Sequence, residues 1–167
     1  RRYLDLDGSL LFADVSGFTR LSERLARGGR VGGEAISEII DDVFTRIIQP
    51  VLDRGGDVLQ FSGDALLVLF HGEAHGARAA AAALEMQRAL DAVPTIRAPG
   101  GAVRLRMSIG LHSGPLGVAR LGVMQDVLLA LGPGATATCL LEKAAASGEV
   151  LISSATAAAL PASARQL

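Results

Sequence analysis

The segment SLLFADVSGFT, residues 9–19, decides how this chain is interpreted. Its first part is an apolar run that ends in a carboxylate, which is typical of a buried strand that stops at Asp14 or Val15. Ser16 and Gly17 come next and favour a turn, and apolar residues then recur at helical spacing. The segment therefore predicts a strand, a tight turn and a helix in immediate succession.

A second segment with an acid at a turn is GGDVLQFSGDALLVLF, residues 55–70. Its two strand-like runs are joined at Gly63 and Asp64, which predicts a β-hairpin with an acidic turn. Carboxylates beside deeply apolar strands are unfavourable unless they are paired, hydrated or bound to a metal. If the two strands are neighbours in one sheet, Asp14 and Asp64 meet at one edge, where a pair of carboxylates suits Mg²⁺ and could hold a second metal ion.

The turn after Asp14 predicts an anion site, because free backbone N–H groups at a helix start attract phosphate. Two metal-binding acids next to such a turn indicate a site for a nucleoside triphosphate. The alternative is that Asp14 is only a helix cap and Asp64 only a turn residue. For either acid alone we would favour that alternative, but the combination favours the nucleotide site.

The remainder of the chain predicts a single α+β domain over residues 1–167, excised from a longer protein, with a mixed sheet and helices packed on one face. Helices are expected at residues 18–26, 34–54, 74–92, 132–146 and 153–160. Further strands are expected at residues 102–111, 116–121, 126–131 and 149–152. Irregular segments are expected at the glycine-rich break 27–33, the loop 94–101 and the turn 112–115.

The composition argues against several classes of protein. The net charge is −1 and aromatic residues make up 4%, so no nucleic-acid partner is expected. The apolar runs are too short to span a membrane and no signal peptide opens the chain, which favours a cytoplasmic protein. The single cysteine, Cys139, excludes an internal disulfide framework and is expected to be a small buried hydrophobe. His71 and His75 are expected to be solvated, and His112 to be a turn residue.

Four segments of the sequence resemble class III adenylate/guanylate cyclase catalytic domains. They are FADVSGFTRLSERLA (12–26), GGDVLQFSGDALLVLF (55–70), SIGLHSGPL (108–116) and LGPGATATCLLEKAAASGEVLISSAT (131–156). They are most similar to the first catalytic domain of soluble-type, bicarbonate-responsive adenylyl cyclases and their bacterial relatives. The resemblance covers about residues 10–160, and it implies a ferredoxin-like βαββαβ core that is active as a dimer with nucleotide at the subunit interface.

The resemblance also implies roles for individual residues. Asp14 and Asp64 match the two metal-binding aspartates, and the Val15 carbonyl matches a further metal contact, so two Mg²⁺ or Mn²⁺ ions are expected with bound nucleotide. In the family, one ion activates the ribose 3′-hydroxyl, which attacks the α-phosphorus and displaces pyrophosphate. The expected triphosphate contacts are Ser16, Gly17, Phe18, Thr19 and Gly63.

Four positions depart from the family pattern. Gln60 replaces a lysine that reads the adenine, and Leu129 replaces a purine-reading Asp or Thr. Thr136 replaces the asparagine that orients the ribose. Leu140 replaces the arginine that stabilises charge at phosphorus, and leucine donates no hydrogen bond. All four roles belong to one side of the dimer interface.

The resemblance and its departures together predict the metal-binding half of an adenylate cyclase that acts on ATP. Its expected partner is a second cyclase domain that supplies the missing Lys, Asp or Thr, Asn and Arg. The alternative is a catalytically silent cyclase-fold domain that binds nucleotide or a small anion and regulates a neighbour. A phosphate-contacting base is also replaced, by Ser108. Arg106 lies two residues earlier on the same strand face, and we expect it to substitute in part.

Overall fold

The structure is a computed structural model that describes residues 3–121 and 127–164. The strands are β1 (Tyr3–Ser16), β2 (Asp57–Ser62), β3 (Ala65–His71), β4 (Ile96–Ala98), β5 (Gly101–Val103), β6 (Arg106–Leu121), β7 (Val127–Leu131) and β8 (Val150–Ile152). The helices are α1 (Phe18–Ala26), α2 (Gly29–Asp53), α3 (His75–Asp91), α4 (Pro133–Ala144), α5 (Ser154–Ala159) and a 3₁₀ helix, Ala162–Ala164. No helix in these two ranges is both long and apolar enough to cross a membrane.

The main sheet has the strand order β2-β3-β1-β6-β7, and β8 lies beside β6. Pairing along this order is antiparallel, whereas β8 runs parallel to β6. The elements β1, α1 with α2, β2, β3, α3 and β6 form a βαββαβ unit whose central strands are β1 and β3. The predicted α+β class, mixed sheet and ferredoxin-like core are therefore confirmed.

The predicted turn at residues 112–115 was wrong, because these residues lie inside the continuous strand β6. β6 pairs with β1 along its length, from Ser16 opposite Arg106 to Tyr3 opposite Ala119. Pro115 is tolerated because it lies where the other edge of β6 is unpaired, after β8 ends and before β7 begins. Residues 102 and 103, expected to start the strand 102–111, instead belong to β5. β5 pairs with β4 in a separate hairpin, and β4 lies in the segment 94–101 that was expected to be a loop. The strand predicted at residues 126–131 is β7, and Asp126 lies outside the described residues.

The predicted break at residues 27–33 was too long, since α2 already begins at Gly29. Gly32 lies inside the helix, and a Cβ added there would be 1.8 Å from the carbonyl oxygen of Leu25. The glycine is needed because α2 crosses the end of α1 at backbone contact distance. A composition that indicates flexibility thus serves close helix packing here.

The helices lie on both faces of the main sheet, not on one face as predicted. The larger core contains side chains of α1, α2 and α3 packed on Leu11, Ala13 and Val15 of β1. The other face carries Leu10 and its apolar neighbours, with Ala135 of α4 packed against them. α4 therefore covers the face on which Leu10, and by strand alternation Asp14, are found.

Candidate active site

Of the two predicted metal ligands, Asp14 lies near the end of β1 and Asp64 lies in the turn between β2 and β3. Asp14 is paired with Ala65 of β3, the residue directly after Asp64. The Val15 N–H donates to the Asp64 carbonyl oxygen at 3.0 Å, which fixes the hairpin turn against the end of β1. Both carboxylates are partly exposed. The β2–β3 turn and the end of β1 therefore bring the two acids together at one end of the central strands, which we call the acidic edge of the sheet.

The electrostatics of this edge disfavour a charged Asp14 in the absence of a cation. The pKa of Asp14 is raised above its ordinary 3.8, mainly by burial and then by the negative charges of Asp64 and Glu142. A divalent cation would remove this repulsion, so the donor set fits Mg²⁺ or Mn²⁺. In the described part of the chain no set of three or more acidic, histidine or cysteine side chains is arranged to hold a metal. Phosphate and water would complete the coordination of an ion held here.

The turn between β1 and α1 has the features of a phosphate-binding loop. Gly17 is the N-cap of α1 with φ +93°, a left-handed conformation that favours glycine. A Cβ at Gly17 would lie 3.1 Å from the carbonyl oxygen of Arg104. Gly17 has no side chain to cap the helix, and the first turn of α1, from Phe18 and Thr19 onward, contains no acid. The N–H groups at this helix start are thus suited to an anion.

An aromatic cluster links this turn to the acidic hairpin. The ring of Phe18 makes an edge contact with Phe44 of α2, with 6.1 Å between ring centroids. Phe44 in turn contacts Phe61 of β2 at 5.8 Å. Phe18 was predicted to start the apolar pattern of α1 and to contact the triphosphate, whereas no role was predicted for Phe44. The available signal was the position of Phe44 on the apolar side of a long amphipathic helix.

The hairpin tip and the start of β6 hold the remaining predicted residues. Gly63 has φ +64° and forms the turn before Asp64. Ser16 lies opposite Arg106 on the neighbouring strand, and its Oγ donates to the Arg106 carbonyl oxygen at 3.3 Å. The same Oγ is 3.3 Å from Oγ of Ser147, a residue that sequence analysis missed. Arg106 therefore lies beside the turn, while its contact with phosphate stays a prediction.

The departures from the family pattern lie at accessible positions. Leu140 is 61% exposed on α4, and Thr136 is exposed one turn earlier on the same helix. Gln60 is exposed on β2, and Leu129 is half-buried on β7. Ser108, where a base was expected, donates instead to Oε1 of Glu142 at 2.6 Å.

Three predictions about side chains outside this site were wrong. Cys139 is exposed and not buried. His112 lies within β6 rather than in a turn. His75 is not solvated, because its Nδ1 lies 2.8 Å from Oγ of the buried Ser9, which is 2.6 Å from Oγ of Ser113. These contacts join α3 to β1 and β6, and hydrophobic pattern gives no signal for such a polar network.

The βαββαβ core, with one acid on β1 just before a glycine turn and a second acid in the neighbouring β2–β3 turn, is the arrangement of nucleotidyl cyclase catalytic domains. A family model described as "Adenylate and Guanylate cyclase catalytic domain" matches residues 7–166, and the chain belongs to this family.

Sequence and structure comparisons agree with the family. The chain is 41% identical to human adenylate cyclase type 10 over 76 residues, which cover 44% of the chain and 5% of that protein. The matched region thus spans about a twentieth of the length of this relative. The structure resembles the adenylyl cyclase CyaB from P. aeruginosa with a TM-score of 0.77, at 21% identity and with 95% and 82% of the two chains covered. It resembles the guanylate cyclase domain of RhGC from Catenaria anguillulae with a TM-score of 0.78, at 19% identity and with 95% and 85% covered.

Proposed function

We propose that this domain is the metal-binding half of an adenylate cyclase, which converts ATP to 3′,5′-cyclic AMP and pyrophosphate together with a second cyclase domain. The observation that carries the proposal is the junction of β1 and the hairpin, where the Val15 N–H bonds to the Asp64 carbonyl and Asp14 lies alongside. A domain with no ligand gains nothing from two acids whose charges repel each other at the edge of an apolar sheet.

The residues at this edge would divide the work of binding. Asp14, Asp64 and the Val15 carbonyl would hold two Mg²⁺ or Mn²⁺ ions, which supply activation of the 3′-hydroxyl and neutralisation of phosphate charge. The backbone N–H groups from Gly17 into α1 would orient the triphosphate. Ser16, Thr19 and Gly63 are exposed at the rim, so nucleotide can reach the turn.

A second domain is required because this chain lacks the groups that read the base and stabilise charge at phosphorus. The loss of one well-placed donor to a transition state reduces the rate by about 10²–10³. The expected partner supplies Lys, Asp or Thr, Asn and Arg in place of Gln60, Leu129, Thr136 and Leu140.

Identity of the base rests on sequence similarity. The similarity to an adenylate cyclase in humans supports ATP. The fold does not discriminate, because the similar solved structures include an adenylyl cyclase and a guanylate cyclase. We further propose that the domain works in the cytoplasm, where ATP and magnesium are available.

A second candidate is a catalytically silent module that binds nucleotide or a small anion and regulates a neighbouring domain. It is favoured by Leu140 and Thr136, which stand where the family has a catalytic arginine and asparagine. If the silent module binds nucleotide, both candidates predict Mn²⁺-dependent ATP binding that is lost in Asp14→Asn. They differ in what happens when the missing groups are restored in the same chain.

The decisive experiment is a four-fold variant that restores the missing side. Leu129→Thr is chosen because threonine suits a half-buried strand position, and the other three sites are exposed enough to accept polar groups. The variant is Gln60→Lys, Leu129→Thr, Thr136→Asn and Leu140→Arg. We expect cyclic AMP production at least about 10²-fold above that of the original chain. The matched control is the same variant with Asp14→Asn, which should be inactive.

Two results would refute the proposal. The first is a folded, dimeric four-fold variant that binds ATP and makes no cyclic AMP, which favours the regulatory module. The second is activity that persists when Asp14 is replaced, because Asp14 would then not hold an essential ion.

A further inference from the structure

Glu142 of α4 lies beside the proposed metal site, although sequence analysis gave it no role. Ser108 is the residue directly opposite Asp14 in the pairing of β1 with β6. Residues opposite each other in an antiparallel pair project from the same face of the sheet. Because Ser108 Oγ donates to Glu142 Oε1 at 2.6 Å, the carboxylate of Glu142 is held on the Asp14 side.

The position of Glu142 is fixed by its backbone as well. A Cβ added to Gly110 of β6 would lie 2.3 Å from the Glu142 nitrogen and 2.4 Å from the Thr138 carbonyl oxygen. α4 therefore rests directly on the sheet one residue pair beyond Ser108 on this face. The side chain of Glu142 is therefore fixed at both ends, at its backbone by helix packing and at its carboxylate by Ser108.

We propose that Glu142 is a positioning residue that raises the affinity of the site for a divalent cation before nucleotide binds. The inference rests on the proposed role of Asp14 as a metal ligand. We assign Glu142 a role through its charge, because its Oε1 already accepts a hydrogen bond from Ser108. Its negative charge attracts a cation and repels a triphosphate that has no bound metal ion.

The presence of Ser108 in place of the expected basic residue changes the charge of the site. The resemblance predicted a basic side chain here to contact phosphate, and the chain has instead a hydroxyl that restrains an acid. Three carboxylates then face this edge, with the exposed Arg106 two positions away on β6. A site of this charge takes up its cation first and its nucleotide as a metal complex.

The test is calorimetric titration of the whole domain with Mn²⁺ in the absence of nucleotide. Glu142→Gln removes the charge and keeps an oxygen that accepts from Ser108, so the packing is preserved. We expect it to weaken Mn²⁺ binding about three- to tenfold. Ser108→Ala should also weaken Mn²⁺ binding, by no more than Glu142→Gln does. Glu38→Gln, at an exposed acid on α2, is the matched control and should leave the affinity unchanged.

The outcomes separate this inference from the proposed function. If Glu142→Gln binds Mn²⁺ as the wild type does while Asp14→Asn binds none, the role of Glu142 is refuted and the metal site stands. If the wild type binds no Mn²⁺ without nucleotide, the role of Glu142 is refuted and the proposed function is decided by the experiment with ATP. If Asp14→Asn binds Mn²⁺ as well as the wild type does, both proposals fall. Thermal unfolding of Glu142→Gln without metal should match the wild type or lie slightly above it, because one repulsion with Asp14 is removed. A clear loss of stability would mark a structural role instead.

Discussion

Replacement of Asp14 by asparagine should stabilise the domain in the absence of metal. The side chain keeps its size, but the negative charge at the end of β1 is removed. In the wild type this charge is disfavoured by burial and by Asp64 and Glu142, which together raise the pKa of Asp14. A residue kept for binding and not for stability is expected to show this conflict.

The size of the effect follows from the two like-charge neighbours. A pair of partly exposed charges is worth about 0.2–1 kcal/mol after solvent screening, so two such pairs give about 0.4–2 kcal/mol. For a domain of this length, each kcal/mol shifts the melting temperature by about 2–4 °C. We therefore expect Asp14→Asn to melt about 1–8 °C above the wild type at pH 7.5 without metal.

The pH dependence of this gain has a definite sign. In the folded state Asp14 takes up its proton at a higher pH than the ordinary 3.8 of the unfolded chain. The penalty is thus fully present at neutral pH and disappears as the pH falls through the raised pKa. The advantage of Asp14→Asn should shrink toward zero by about pH 4.

Melting curves at pH 7.5 and at acidic pH, with and without Mn²⁺, measure all of this. Mn²⁺ should raise the melting temperature of the wild type and leave that of Asp14→Asn unchanged, because only the wild type binds the ion tightly. Asp64→Asn provides a comparison at the partner acid. A metal-free Asp14→Asn that melts below the wild type at pH 7.5 would refute the reasoning, since Asp14 would then stabilise the fold.

Two further predictions concern residues around the site. Arg106→Ala should raise the apparent Michaelis constant for ATP in the active four-fold variant about threefold or more, because an exposed cation beside Ser16 is removed; an unchanged constant would exclude a role in phosphate binding. Gly32→Ala should destabilise the domain by about 2–4 kcal/mol in urea unfolding, since the new Cβ would lie 1.8 Å from the Leu25 carbonyl; Gly33→Ala, where a Cβ meets nothing within 4 Å, is its control.

Much of the fold could be predicted from the sequence because local pattern and tertiary structure agree. The apolar runs of β1 and of the β2–β3 hairpin, with their acids at the ends, give the two elements that build the site. The errors came where packing overrides local signals. Pro115 looks like a turn residue, yet it lies in a strand at a point with one unpaired edge. Gly32 looks like a break, yet it lies in a helix at a backbone contact.

The candidate site divides in the same way. Asp14 and Asp64 could be predicted as metal ligands because each is an acid next to an apolar strand. Glu142 was missed because it is one of several acids on helices, and its relation to Ser108 arises only when α4 is placed on the sheet. Phe44 was missed because an apolar residue on an amphipathic helix predicts burial without naming its neighbours.

The ring of Phe44 is wedged between two rings from distant parts of the chain, one at the start of α1 and one on β2. The proposed phosphate-binding turn and the acidic hairpin are therefore both packed, through Phe18 and Phe61, against the same residue of α2. Local unfolding around Phe44 would loosen the packing of both segments together and leave the Val15–Asp64 hydrogen bond as a direct link between them. A displacement of α2 is therefore expected to disturb the proposed nucleotide and metal sites at the same time.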